Sequence, residues 1–355
     1  MAALTTHAAP PDTDEPFDRF RLRSATPVLD RGRGEVQLGT DPRWALRLTG
    51  LTDGEVEWLR ELATRRHVSP VAAARRHGVT PGRCPEILGL LRAGGFLHPL
   101  GDGARGPAVA AVSDGAADIP ALGALRPDGS GRATLARRAQ ARVAVVGLGR
   151  IGAAVGLQLA TAGIGSLVLR DGTPVQIRDV GLGGYGQQDV GRAREEALAA
   201  AVARAAPRVR VRTDGEADVV VLVESQAPAP GRYARLLGEG LAHLLVTVRE
   251  ADVVVGPFVL PGVTPCARCA DLHLTDDDAA WPLLAAQLRQ APEPPQETSL
   301  AAVAAALATA QVLARVDGLR PATAGALVEV TLPQGLPVER RMGPHPRCGC
   351  VTLAP

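Results

Sequence analysis

The sequence predicts an α/β protein: a Rossmann-like domain with a mostly parallel sheet, preceded by a small winged helix-turn-helix domain. Three observations predict it. The fingerprint Gly147-Leu-Gly149-Arg-Ile-Gly152 stands between a β-branched run and an apolar helix. Strand-like and helix-like segments alternate from there towards the carboxyl terminus, the pattern of a parallel sheet. Ahead of them, short strands lead into three short helices.

In chain order, residues 1–16 are rich in Ala, Pro and Asp and read as a disordered tail. Residues 17–100 form the small domain. Short strands are predicted over 27–29, 35–38 and 44–48, separated by turn-like Arg31-Gly-Arg-Gly34 and Thr40-Asp-Pro42. Thr52 or Asp53 caps a helix to about Arg66 that places Val56, Leu59, Leu62 and Ala63 on one face. Ser69-Pro70 starts a second helix and Thr80-Pro81 a third, ending at Gly94-Gly95. Residues 96–98 then read as a wing strand.

Residues 101–139 read as a Gly/Ala/Pro/Asp-rich linker, and 140–355 as the large domain. There Arg142–Val146 is a buried strand, the fingerprint opens a helix to about Ala162, and a second strand over 166–169 leads to Asp171. Gly147, Gly149 and Gly152 let a phosphate approach backbone N–H groups at a helix N-terminus. Asp171 falls where an acid can bond a ribose hydroxyl. A glycine-rich segment over 181–186 precedes a helix over 191–205. Strands follow over 209–211, 219–223 and 244–247, and 252–260 reads as a hairpin arm. Helices are predicted over 277–289 and 298–316, with a late strand over 327–332.

Composition narrows the function classes. With 355 residues, 46% hydrophobic and 3% aromatic, the chain must build its cores from Ala, Val and Leu. A formal net charge of +2 argues for neither nucleic acid nor a membrane surface. No Lys or Asn occurs, so every cation except His is Arg. The amino terminus has acids and no apolar core, unlike a signal peptide. The apolar stretch around 301–314 reads as too short and Ala-rich to span a bilayer. The expectation is a soluble, cytoplasmic protein.

Two close cysteine pairs, Cys266/Cys269 and Cys348/Cys350, match a four-thiolate structural zinc site. His345 is a substitute ligand by its nearness to Cys348. Cys84 and His243 read as buried structural residues.

Residues 138–350 resemble the ThiF-like family of the ubiquitin-activating-enzyme superfamily. The resemblance rests on VAVVGLGRIG, LVLRD, DVGRAREEA followed by PRVRV, ADVVVLVES, and VLPGVTPCARC with the late cysteine pair. It implies a MgATP site, adenylation of the carboxyl terminus of a small carrier protein or peptide, and a homodimer. The sequence departs from the family at the reacting positions. Arg150 stands for a loop glycine, and the run after Asp171 lacks the family's Asp, Asn and Arg. The family's phosphate-binding lysine falls on Arg194, and its magnesium-binding Asp on Glu224-Ser225. A weak or lost MgATP site follows, because Arg and Lys are not interchangeable on phosphate.

With the small domain included, the chain resembles the ocin-ThiF-like proteins of thiazole/oxazole-modified peptide pathways. The residues are PVLDRGRGEVQLG, ALRLTGLTDGEVEWLREL and GGFLHP. The resemblance implies that the small domain binds the leader peptide of a ribosomal precursor and presents it to a YcaO-type cyclodehydratase. Val36, Leu38, Ile87 and Leu91 would line the peptide groove, and Arg83 and Arg92 would pair with leader acids. Two other readings compete: an active adenylyltransferase, and a DNA-binding module using Arg75, Arg76, Arg83 and Arg92. Against DNA, Asp53, Glu55, Glu57, Glu61 and Glu86 interleave with those arginines.

Overall fold

The computed structural model describes residues 17–23, 26–42, 44–65, 68–99, 114–125, 131–181 and 184–351. The tail read over 1–16 and residues 101–113 of the predicted linker lie outside them. The chain divides into two compact units, residues 1–112 with 116–134, and residues 113–115 with 135–355.

In the first unit, β1 (Phe20–Leu22) pairs antiparallel with β5 (Leu97–Pro99). A second, antiparallel sheet has the order β2 (Val28–Gly32), β3 (Glu35–Leu38), β4 (Leu46–Leu48). Three helices follow: α1 (Asp53–Thr64), α2 (Pro70–Arg76) and α3 (Arg83–Ala93). Thr52 rather than Asp53 caps α1, and Glu55 reaches back to the Thr52 N–H in a capping box. Ser69 caps α2. Thr80-Pro81 does not begin α3 but forms the turn before it, where the Thr80 carbonyl accepts from Arg83 and Cys84. The core gathers Val36, Leu38, Trp58, Leu59, Ile87, Leu91 and Phe96, and Cys84 is buried among them. The sequence reading missed β1, whose three residues offer too short a pattern. The described part of the stretch read as linker carries α4 (Ile119–Ala124) and α5 (Gly131–Gln140), which leads into the second unit.

The second unit holds eight strands: β6 (Arg142–Val146), β7 (Ser166–Arg170), β8 (Arg210–Arg212), β9 (Val219–Ser225), β10 (Ala242–Val248), β11 (Asp252–Val259), β12 (Ala326–Thr331) and β13 (Pro337–Arg341). Their order is β13-β12-β11-β10-β9-β6-β7-β8. The five strands from β10 to β8 run parallel, and β11 to β13 add antiparallel pairs. Alternation along each strand sends Val143, Val145, Leu167, Leu169, Val219 and Val221 to one face. Ala144, Val168, Val220 and Leu222 go to the other. The first face is covered by α6 (Arg150–Thr161), α7 (Arg194–Ala205) and α11 (Thr298–Val316).

α11 is long and apolar enough to cross a bilayer, contrary to the sequence reading, but Leu300, Ala304, Ala308 and Val312 pack into the core. α10 (Trp281–Leu288) lies within the helix predicted over 277–289, whereas α9 (Ala267–Asp277) and α8 (Pro230–Gly238) ahead of it were not predicted. Strand order reverses between β6 and β9, so the crevice at their carboxyl ends is where such a sheet takes a ligand.

Candidate functional site

At that crevice a cavity of about 490 Å³ is bounded by Gly147, Gly149, Asp171, Arg194, Glu224 and Glu293. The turn after β6 needs its glycines. At Gly147, φ is +85°, and a Cβ would lie 2.2 Å from the Val223 carbonyl oxygen; at Gly152 it would lie 1.9 Å from that of Gly147. Gly149 is the N-cap of α6, so the loop aims the first N–H groups of that helix at the cavity.

The charges of this site are paired with one another. Asp171 Oδ2 accepts from the Leu148 N–H at 2.8 Å and from Arg194 Nη1 at 2.9 Å, while Oδ1 accepts from Thr173 N and Oγ1 at 3.1 and 2.6 Å. Burial pushes the Asp171 carboxyl upward, but the Thr173, Arg194 and Leu148 bonds outweigh it and hold it below its ordinary value. Arg194 also forks onto Asp179, with Nε at 3.0 Å and Nη2 at 2.8 Å from Oδ2. Burial opposes the Arg194 charge, and the Asp171 and Asp179 carboxylates more than restore it. Arg194 is 6% exposed and Asp179 1%, so this pair is part of the interior, with half-buried Asp171 between it and the cavity. The Tyr185 hydroxyl, 2.9 Å from the Leu148 carbonyl and 3.1 Å from that of Arg194, ties the glycine loop to the start of α7.

Glu224, which the sequence left as a metal ligand, is also spent. Oε2 accepts from the Ala229 N–H ahead of α8 at 2.8 Å, and Oε1 pairs with Arg232 at 3.0 Å. Gln226, two residues on, has φ +66°, a strained setting between Ser225 and Ala227 of the cavity lining. Sequence reasoning missed Asp179, Tyr185 and Glu293. Asp179 was visible only as the acid near the end of the run after Asp171.

The cysteines converge: Cys266, Cys269, Cys348 and Cys350 present sulfurs all within 4.8 Å of one another. Cys266 Sγ lies 3.5 Å from Cys348 Sγ, and Cys269 Sγ 3.4 Å from Cys350 Sγ. These spacings fit a tetrahedral ion with zinc–sulfur bonds of about 2.3 Å. Cys266 and Cys269 sit at the N-terminus of α9, and Gly349 turns with φ +73° between the other two. Burial raises the Cys348 thiol to about 11 and Cys350 further. His345 is no ligand: Nε2 meets Asp276 at 2.8 Å, Nδ1 accepts from the Arg347 N–H, and its own N–H points to Cys269 Sγ at 3.3 Å.

In the first unit, the four apolar residues assigned to a groove lie in the core: Val36 0%, Leu38 0%, Ile87 1% and Leu91 0% exposed. They share one cluster, but it offers no open surface. Arg83 pairs with Glu55 at 3.1 Å and Glu86 at 2.7 Å, and Arg92 stacks over Phe20. The open positions are neighbours of those named. Leu90 on α3 is 40% exposed. Leu46 on β4 is half-buried and its Cδ2 would stand 3.1 Å from a Cβ at Gly94, just past α3. Among the described residues, β4 pairs only with β3, so its other edge is free beside α3.

A model of the ThiF family matches residues 125–220, so this stretch carries a ThiF family domain. No curated protein matches the chain. Among solved structures, E. coli MccB with ATP superposes with a TM-score of 0.70 at 17% identity, over 94% of this chain and 99% of that one. The microcin C7 biosynthetic enzyme MccB in complex with N-formylated MccA gives 0.69 at 17%, with the same coverage. PaaA gives 0.68 at 16% identity, over 89% of this chain and 98% of that one. At these identities the likeness is one of fold: α/β, with a ThiF-type unit carrying a large, mostly parallel sheet behind a smaller strand-and-helix region.

Proposed function

We propose that this chain recruits the leader peptide of a ribosomally made precursor and presents it to a partner enzyme, without transferring adenylate itself. The observation that carries the proposal is that the charged groups of the ThiF-type site are already paired: Arg194 with Asp171 and Asp179, and Glu224 with Arg232. Adenyl transfer needs a cation clamp and a magnesium ligand free to meet developing charge. Here Arg194 is paired with the buried Asp179 and the half-buried Asp171, and Glu224 is held by the Ala229 N–H and Arg232. Solved relatives of this fold bear on a peptide partner, since one is MccB in complex with N-formylated MccA.

The first unit, read as a winged helix-turn-helix, takes the peptide as an added strand on the free edge of β4, with side chains between Leu46 and Leu90. A YcaO-type cyclodehydratase, a homodimer, zinc on the four cysteines and a cytoplasmic setting complete the reading. DNA is disfavoured because two of the four arginines it would use are matched by acids, Arg83 with Glu55 and Glu86 and Arg76 with Glu61 at 2.8 Å, and Arg92 stacks over Phe20.

One observation favours the second reading, an active adenylyltransferase. A mostly apolar groove of about 350 Å³ in the same unit is lined by Leu245, Leu274, Trp281 and Arg340, with Gln226 and Pro228 alternating in sequence with Ser225, Ala227 and Ala229 of the glycine-loop cavity, and has room for an extended peptide end. ATP–pyrophosphate exchange with the candidate precursor separates the two. No exchange above background is expected, and robust exchange abolished by Asp171→Ala would establish the adenylyltransferase.

A further inference from the structure

The segment between α10 and α11, residues 289–297, lies against the glycine loop. Gln296 Oε1 accepts from the Ile151 N–H at 3.2 Å, one of the α6 donors a nucleotide phosphate would take. Its Nε2 donates to Glu293 Oε1 at 3.3 Å, and that carboxylate oxygen comes within 3.1 Å of where a Cβ on Gly149 would sit. Glu293 Oε2 pairs with Arg178 at 2.9 Å and stands 3.8 Å from Arg194 Nη2.

Arg150 fastens the arrangement. Its Nη1 donates to the Gln296 carbonyl at 2.5 Å and its Nη2 to the Val180 carbonyl at 2.8 Å. Glu297 anchors the far end by capping α11 through Ser299 N and Leu300 N. Buried Pro294 and its neighbours Pro292 and Pro295 stiffen the stretch. An anion from the chain itself therefore occupies the position to which the helix N-terminus, Arg178 and Arg194 would draw a phosphate. The arginine that replaces a glycine in the loop holds it there.

We infer that Glu293 and Gln296 form an intramolecular plug of the phosphate subsite, clamped by Arg150, that must withdraw before a nucleoside triphosphate can occupy the cavity. The inference rests on reading the cavity as a remnant nucleotide pocket. A phosphate chain would compete with Gln296 for the Ile151 N–H and meet the Glu293 carboxylate at close range, so the plug opposes binding by both lost bonds and like charge.

The test is calorimetric titration of the full chain with MgATP, comparing wild type with Glu293→Ala/Gln296→Ala and separately with Arg150→Gly. Each variant is expected to bind MgATP at least about tenfold more tightly than wild type. Amide exchange at Ile151 is expected to quicken in the double variant without nucleotide. Equal affinities, or no binding by wild type and both variants alike, would overturn the inference, as would unchanged exchange at Ile151. Peptide binding measured on the same samples reports on the recruiter reading independently, so the two can fail separately.

Discussion

At the scale of single residues, the ion triad decides the character of the glycine-loop site. Removing Arg194 leaves buried Asp179 and half-buried Asp171 without their shared cation. Arg194→Ala is therefore expected to cost about 3–5 kcal/mol in urea unfolding. An unchanged midpoint would mean that the arginine serves a ligand and not the fold. His243 gives a pH signature. It is wholly buried in β10, its Nδ1 is 2.8 Å from the Leu241 carbonyl, and burial holds it below the ordinary 6.5. The unfolded chain takes up that proton near 6.5 and the folded chain only at lower pH. Stability from this group is thus complete above that value and lost as pH falls through it, at up to about 1.4 kcal/mol per pH unit. Unfolding followed between about pH 7 and pH 5 should show this slope, and His243→Leu should flatten it. Of these residues, Asp171 was legible from its spacing after the glycine loop and Arg194 only through the ThiF-like resemblance. Asp179, carried by a three-residue 3₁₀ turn, adds the second carboxylate on Arg194 and has no such sequence signal.

At the scale of elements, legibility followed periodicity. The runs forming β6, β7, β9 and β10 are continuous apolar stretches, and the glycine turn and α11 are comparably plain. β1 and β13 escaped: one is three residues long, and the other, PVERR, is exposed throughout and shows no buried face. The groove residues Val36, Leu38, Ile87 and Leu91 were chosen for being apolar on the right elements, and that same property sent them into the core. Leu46 and Leu90 are set apart by burial alone, which periodicity cannot supply. The cysteine pairs were legible because their spacing is itself the signal. Zinc bound there contributes folding free energy, since the unfolded chain has no preformed site. Metal analysis should find about one zinc per chain. Cys269→Ser should lose it and lower the unfolding temperature, and a metal-free wild type that unfolds at the same temperature would remove zinc from the structure.

At the scale of the whole molecule, one chain joins a small unit with a free strand edge to a ThiF-type unit whose reacting groups are internally satisfied. A recruiter needs the first and can dispense with the chemistry of the second, keeping the sheet as a rigid body for a partner to grip. The most direct measurement is titration of the full chain with the precursor peptide encoded beside its gene. A dissociation constant of about micromolar order is expected, ordinary for a segment that orders on binding. Leu90→Asp, which puts a charge on the exposed apolar position of α3, should weaken it at least about tenfold. No binding of that peptide, with tight binding of duplex DNA instead, would contradict the recruiter and make the first unit a transcriptional module.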